Sequence, residues 1–199
     1  MVRNLHVIKD IGLAMSIRHI CAENFVVLLW FYRQASSALL RGSYETFLLI
    51  LWVILLQMKK TVTWNVEGAA SMPDIDGDAL ASWLGQVAAL HGRELGPLNY
   101  IFCDDPRIIE VNRQFLGHDY FTDIITFDYS SPRRVSGDMY ISLDTVASNA
   151  ELVGSTYEDE LHRVIVHGLL HLCGINDKGP GEREIMERAE NEALALLNA

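Results

Sequence analysis

The sequence predicts an α+β fold: a small mixed four-stranded sheet packed with helices, with a metal site at the end of a central helix. Three observations predict it. Period-two and period-3.6 apolar patterns are interleaved along the chain rather than segregated. The strands flanking Ser130–Gly137 are too close for a helical crossover, which argues against a doubly wound sheet. One apolar helix carries His167 and His171, four residues apart, with Gly174 beyond them as a stop signal.

The elements follow in order. Thr61–Val66 alternates, with Val62, Trp64 and Val66 on one side, as a half-buried strand does. Ser71–Gly77 is a loop. Asp76 or Asp78 caps a helix to about Leu95, whose buried stripe is Leu80, Trp83, Leu84, Val87 and Leu90. Gly96-Pro97 ends it, and Leu98–Cys103 is the second strand. Asp105 caps the next helix, with Pro106 in its first turn and Ile108, Ile109, Val111 and Phe115 continuing it. After the polar loop Gly117–Asp123 comes a β-prone run, Ile124–Phe127. Ser130–Gly137 is a turn or hairpin loop, and Met139–Leu143 the fourth strand. Asp144 caps a short helix to about Leu152. Ser155 and Glu158 form a capping box for the histidine helix, with core positions Leu161, Val164, Ile165, Leu169 and Leu172. A last amphipathic helix spans Glu182–Leu197.

Composition narrows the chemistry. At 199 residues, half of them apolar, the chain suffices for one domain with a sizeable core, or for one domain plus an appendage. Cys21, Cys103 and Cys173 are odd in number and lack a CxxC pair, so no disulfide framework is expected and a reducing, cytoplasmic setting fits best. A net charge of −10 argues against nonspecific capture of nucleic acid.

Residues 1–57 differ from the rest. Two apolar runs, Phe25–Tyr32 and Phe47–Leu56, flank the polar patch Arg33–Glu45, and neither reaches the roughly 18–20 residues of a bilayer span. Residues 1–57 read as an over-extended start with the true one at Met58, as a membrane-associating segment, or as a soluble helical extension. Membrane contact is expected only if they are real. Residues 58–199 read as the functional domain.

The histidines carry the chemical argument. On a helix they share one face, and the chain turning back after Gly174 offers Asp177 as a third ligand. Three protein ligands with a position left open describe a catalytic zinc site. Spacing alone also allows two hydrogen-bonded core histidines. Gly168 stands where a HExxH protease has its glutamate, so that general base is missing. Glu160, one heptad before His167, is a partner of the site or a solvated first-turn residue. Thr122-Asp123 orients a histidine or caps a turn, and Asp138 reads as a strand-edge turn residue. Cys103 and Cys173 read as core.

At this point a resemblance enters. H-G-L-L-H-L-C-G-I-N-D resembles the signature of the YbeY family of bacterial rRNA maturation endoribonucleases, H-G-x-L-H-L-x-G-[YF]-D-H. V-N-R-Q-F-L-G-H-D-Y-F-T-D-I-I-T-F resembles its L-N-x-x-[YF]-R-x-x-D-x-x-T-D-V-L-S-F, and G-D-M-Y-I-S its G-D-[IV]-x-I-[SC]. The resemblance covers nearly all of Met58–Ala199. It implies a single-strand-specific, metal-dependent endoribonuclease of small-subunit rRNA 3′ end processing and ribosome quality control, whose partners are rRNA and the small subunit with its proteins. It also implies one Zn2+ per chain on His167, His171 and Asp177, the two histidines acting through the metal-bound water. Two positions depart from the pattern. The third histidine falls on Asp177, and an arginine proposed to contact phosphate falls on Leu116. Substrate contacts are therefore unassigned. His118, Arg113 and Lys178 are candidates to replace the arginine, and Arg133, Arg134, Lys59, Lys60 and Arg163 are further basic candidates. The alternatives are a zinc hydrolase of another substrate and a non-catalytic ribosome-assembly factor with a structural metal.

Overall fold

In the computed structural model, residues 7–9, 61–117 and 119–197 are described. The apolar runs Phe25–Tyr32 and Phe47–Leu56, the Met58 start and His118 lie outside them. The elements are β1 (Val7–Lys9), β2 (Val62–Val66), α1 (Gly77–Leu90), β3 (Glu94–Cys103), α2 (Asp105–Leu116), β4 (Ile124–Asp128), β5 (Arg134–Ser142), α3 (Leu143–Val153), α4 (Tyr157–Leu172) and α5 (Glu182–Leu197). Among the described residues, no helix is long and apolar enough to cross a membrane.

The mixed four-stranded sheet has the order β4-β5-β3-β2, and β1 extends it at the β4 edge. β4 and β5 pair antiparallel across the short loop, whereas β5–β3, β3–β2 and β1–β4 are parallel. The fold class is as the sequence predicts, α+β. One face of the sheet packs under α1 and α4, with α5 against those two helices, around Leu84, Tyr100, Phe102, Met139, Ile141 and Ile165. A second cluster gathers Cys103, Ile108, Val111, Ile125 and Phe127, with Leu116 packed against it.

α4 is the most deeply set helix, with every residue from Val164 to Leu172 buried. At about 1.5–3 kcal/mol per buried aliphatic side chain, its five leucines and isoleucines are a leading contribution to stability. The Tyr100 hydroxyl donates to the Ile165 carbonyl at 3.1 Å and ties α4 to β3. Trp83 Nε1 donates to the Ala193 carbonyl at 2.8 Å and ties α1 to α5.

Several boundaries differ from expectation, each for a local reason. α1 stops at Leu90 because Gly92 adopts φ +67°. Gly92 N–H then donates to Ala89 O and Arg93 N–H to Ala88 O, a Schellman closure. Leu90 is consequently 67% exposed, and Ala88 takes its place in the core. Gly96-Pro97 does not end a helix. It marks a register shift inside β3, where a proline lacking its N–H is tolerated. A Cβ on Gly96 would lie 2.6 Å from the Val135 carbonyl oxygen, so the two strands require glycine there. β5 begins at Arg134 rather than Met139, which places Asp138 within the strand and not at a turn.

Caps shift by a residue or two. Asp76 caps α1, but Asp104, Ser142 and Thr156 cap α2, α3 and α4 in place of Asp105, Asp144 and Ser155. Each stretch offers adjacent cap-competent residues, and tertiary contacts choose between them. Asp104 also accepts from Ala69 N–H, while Asp105 is taken by the Ser142 and Thr145 hydroxyls.

Candidate metal centre

The site is built on the last two turns of α4. His167 and His171 are 2% and 6% exposed, and their rings meet edge to face at 4.6 Å between centroids. Their Nε2 atoms are 3.1 Å apart. α4 ends at Leu172, and Gly174 adopts φ +96°, a backbone conformation that glycine takes without strain. Ile175 N–H returns to the Leu170 carbonyl, so the chain doubles back. That reversal brings Asp177 over the histidines. Its two oxygens lie 3.9 Å from His167 Nε2 and from His171 Nε2. Ligand atoms of all three residues fall within 4.8 Å of one another. The structure thus brings together the three residues singled out in the sequence.

Protonation suits a cation. Glu190 on α5 is 2% exposed and its Oε1 lies 2.6 Å from His167 Nδ1. A carboxylate there keeps the proton on Nδ1 and leaves the Nε2 lone pair facing Asp177. Burial, and then the neighbouring His167, push His171 down to about 3, so it is neutral at physiological pH. Burial raises the Asp177 carboxyl, opposed by His167 and Lys178 and reinforced by Asp123. Two imidazoles and one half-buried carboxylate converging on one point form a donor set for zinc or another divalent ion, and the residues fit such an ion.

Gly168 explains the missing glutamate. A Cβ there would lie 2.8 Å from Ile124 Cδ1 and 3.1 Å from Met139 Sδ, because α4 presses on β4 and β5 at this point. The position faces the sheet and not the histidines' opening.

That opening is a cleft of about 800 Å³. His167, Asp177, Glu160 and Glu190 line it, together with Arg163, Lys178 and Arg183. Glu160 is 1% exposed, so it is not a solvated first-turn residue. Asp123 is buried and accepts from Ile124 N–H at 3.0 Å and Asn149 Nδ2 at 3.4 Å, fastening the start of β4 to α3. Asp138 accepts from the Tyr129 hydroxyl at 3.4 Å, and burial raises its carboxyl. Burial pushes the Cys103 thiol up to about 12 and the Cys173 thiol to about 11, consistent with packing residues and not thiolate ligands.

Glu190 was not singled out in the sequence. Its signal is present: it lies four residues after Met186 and three before Ala193, a carboxylate within the buried stripe of an amphipathic helix.

The chain has relatives. The family model "Endoribonuclease YbeY" matches residues 70–198. A protein of that name from Bacteroides thetaiotaomicron is 63% identical over 135 residues, covering 68% of this chain and 98% of the relative. One from Phocaeicola vulgatus is 61% identical over 137 residues, 69% of this chain and 99% of its own. One from Porphyromonas gingivalis is 48% identical over 136 residues, 68% of this chain and 89% of its own. With the family model spanning well over half of its length, and relatives that share more than half of the aligned residues, this chain belongs to the endoribonuclease YbeY family.

Proposed function

We propose that this chain is a metal-dependent endoribonuclease acting on single-stranded rRNA, in small-subunit 3′ end processing and ribosome quality control. On this reading it works in the cytoplasm with the small ribosomal subunit and its proteins. It holds one Zn2+ through His167, His171 and Asp177. The observation that supports it best is the convergence of these three side chains within 4.8 Å, beside a cleft of about 800 Å³.

The roles of the residues follow. His167 and His171 present Nε2, and Asp177 closes the triangle and offsets one charge of a dication. Glu190 fixes the tautomer and ring orientation of His167. A divalent ion held by these residues would supply the acidification of a water and the polarisation of a phosphoryl oxygen. Gly168 leaves no space for the glutamate that peptide hydrolysis on a HExxH helix uses, which favours a phosphodiester over a peptide.

The test is direct. Zinc-loaded protein is offered single-stranded RNA, duplex RNA and a peptide mixture side by side. Cleavage of single-stranded RNA, lost in His167→Ala and His171→Ala together with stoichiometric zinc, is the expected outcome. Full zinc content in both variants defeats the ligand assignment, and peptide cleavage without RNA cleavage defeats the substrate assignment.

A further inference from the structure

The arginine expected to contact phosphate is Leu116 here, and Leu116 packs against the apolar cluster of Cys103, Ile108 and Phe127. A phosphodiester at the histidines therefore needs another donor. We propose that Arg163 forms a phosphodiester subsite in the cleft wall and holds the phosphate neighbouring the scissile one. The proposal rests on the nuclease reading above.

The guanidinium is held by one edge. Its Nη1 donates to Glu190 Oε2 at 3.0 Å and to Asn191 Oδ1 at 3.0 Å. Nε and Nη2 share the other edge, and among the described residues neither has a hydrogen-bond partner. Two parallel N–H donors on one rigid edge match two oxygens of a phosphate. The side chain is 28% exposed and lines the cleft, so a ligand there can reach it. Glu190 and Asn191 already fix its rotamer, so little further side-chain entropy is lost on binding.

Its position relative to the histidines is set by one carboxylate. Glu190 bonds Arg163 through Oε2 and His167 through Oε1, at 3.0 and 2.6 Å. A guanidinium one carboxylate away from His167 is placed for an adjacent phosphate of the same strand.

The other cations are less suited. Arg113 gives both Nε and Nη2 to Asp119, at 2.8 and 2.6 Å. Arg134 faces Glu94 at 3.9 Å and does not line the cleft. Arg183 lines it but gives Nε to Glu187, and both side chains are more than half exposed. Lys178 lines the cleft too, as a point charge without a fork. Asp159, Glu160, Asp177, Glu187 and Glu190 share the cleft, so its general field does not attract RNA. Recognition here is one directional contact and not a basic patch.

The experiment compares wild type with Arg163→Gln and Arg163→Lys, all zinc-loaded. Cleavage kinetics use a single-stranded oligoribonucleotide, and its cleavage-resistant 2′-O-methyl counterpart reports Kd by fluorescence anisotropy between 50 and 200 mM salt. Losing one phosphate contact on a single strand lowers the slope of log Kd against log salt by about 0.7 in Arg163→Gln. KM rises roughly tenfold, the loss expected for a charge-assisted contact, and kcat changes less. Arg163→Lys, which keeps the charge and loses the fork, falls between. Zinc affinity stays at the wild-type value in both. An unchanged slope and KM, with wild type cleaving RNA, overturns the subsite alone. So does a fall in zinc affinity at unchanged slope, which would make Arg163 only a support for Glu190. A wild type that neither binds nor cleaves RNA overturns the nuclease reading, and the subsite with it.

Discussion

Replacing Glu190 tests how the metal centre is held. Its carboxylate is 2% exposed and accepts from both His167 Nδ1 at 2.6 Å and the Arg163 guanidinium Nη1 at 3.0 Å. Glu190→Ala leaves His167 Nδ1 without its acceptor and removes the Arg163 counter-charge, while Arg163 Nη1 keeps Asn191 Oδ1. Breaking a fully buried ion pair costs about 3–5 kcal/mol. Arg163 is 28% exposed and recovers part of that from water, so about 1–3 kcal/mol is expected for the metal-free fold. Glu190→Gln keeps the shape and one acceptor oxygen, which serves His167 or Arg163 but not both. Its cost is about 1–2 kcal/mol. Metal affinity falls by a comparable amount, because His167 loses the partner that fixes its tautomer. Removing such a partner weakens binding about 10–100-fold, or about 1.4–2.8 kcal/mol. Competitive zinc titration against a chelating dye measures the affinity, and urea unfolding of metal-free protein measures the fold. A folded Glu190→Ala whose zinc Kd stays within about twofold of wild type would refute the reasoning, since a partner worth so little does not orient His167.

Three further outcomes follow from the same geometry. Asp177→Ala keeps both imidazoles, so zinc binds more weakly but detectably by metal analysis, whereas His167→Ala or His171→Ala removes stoichiometric zinc. An Asp177→Ala variant as empty as the histidine variants would mean that the histidine pair cannot hold the ion. Gly168→Glu, which completes HExxH, drives a carboxylate against Ile124 and Met139 and lowers the melting temperature sharply instead of conferring peptidase activity. Gly168→Ala meets Ile124 Cδ1 and the Sδ and Cγ of Met139, which must give by a few tenths of an ångström, and it costs about 1 kcal/mol or less because the better helix propensity of alanine offsets the contact. Metal-free protein loses stability on acidification. His171 titrates near 6.5 when unfolded and near 3 when folded, so the unfolded state binds more protons between those values. Stability then rises with pH across that window, by up to about 1.4 kcal/mol per unit from this residue. The raised Asp177 carboxyl contributes the opposite slope just above the ordinary carboxylate range. Urea unfolding at several pH values checks this, and a His171→Gln variant with an unchanged slope between pH 5 and 6.5 would contradict it.

The elements were legible where local signals are strong. The Glu182–Leu197 helix and the core positions of α4 lie where periodicity places them. The errors share one cause: adjacent residues compete for one local role, and contacts distant in sequence decide. Asp104 and Asp105 both suit a cap, and Ser142 and Thr145, nearly forty residues on, claim the second. Gly92 and Gly96 both suit a helix stop. The first closes α1, and the second is required by the close approach of Val135 on β5, which no local window contains.

The site divides in the same way. His167, His171 and Asp177 are close in sequence, and one helix turn plus one glycine reversal unites them, so their convergence was legible from spacing. Glu190 reaches His167 only because α5 packs along α4, and Arg163 acquires its orientation from Glu190 and Asn191 in turn. The two departures from the family pattern act in one direction. A carboxylate at Asp177 lowers the charge of a metal-loaded centre by one unit relative to a histidine, and Leu116 removes a further cation. A centre so depleted, in a chain of net charge −10, cannot hold a polyanion by long-range attraction. On the proposed reading it relies on directional contacts at short range, such as the Arg163 edge that has no hydrogen-bond partner among the described residues. This is why the salt slope, more than the bare affinity, separates the two modes of recognition.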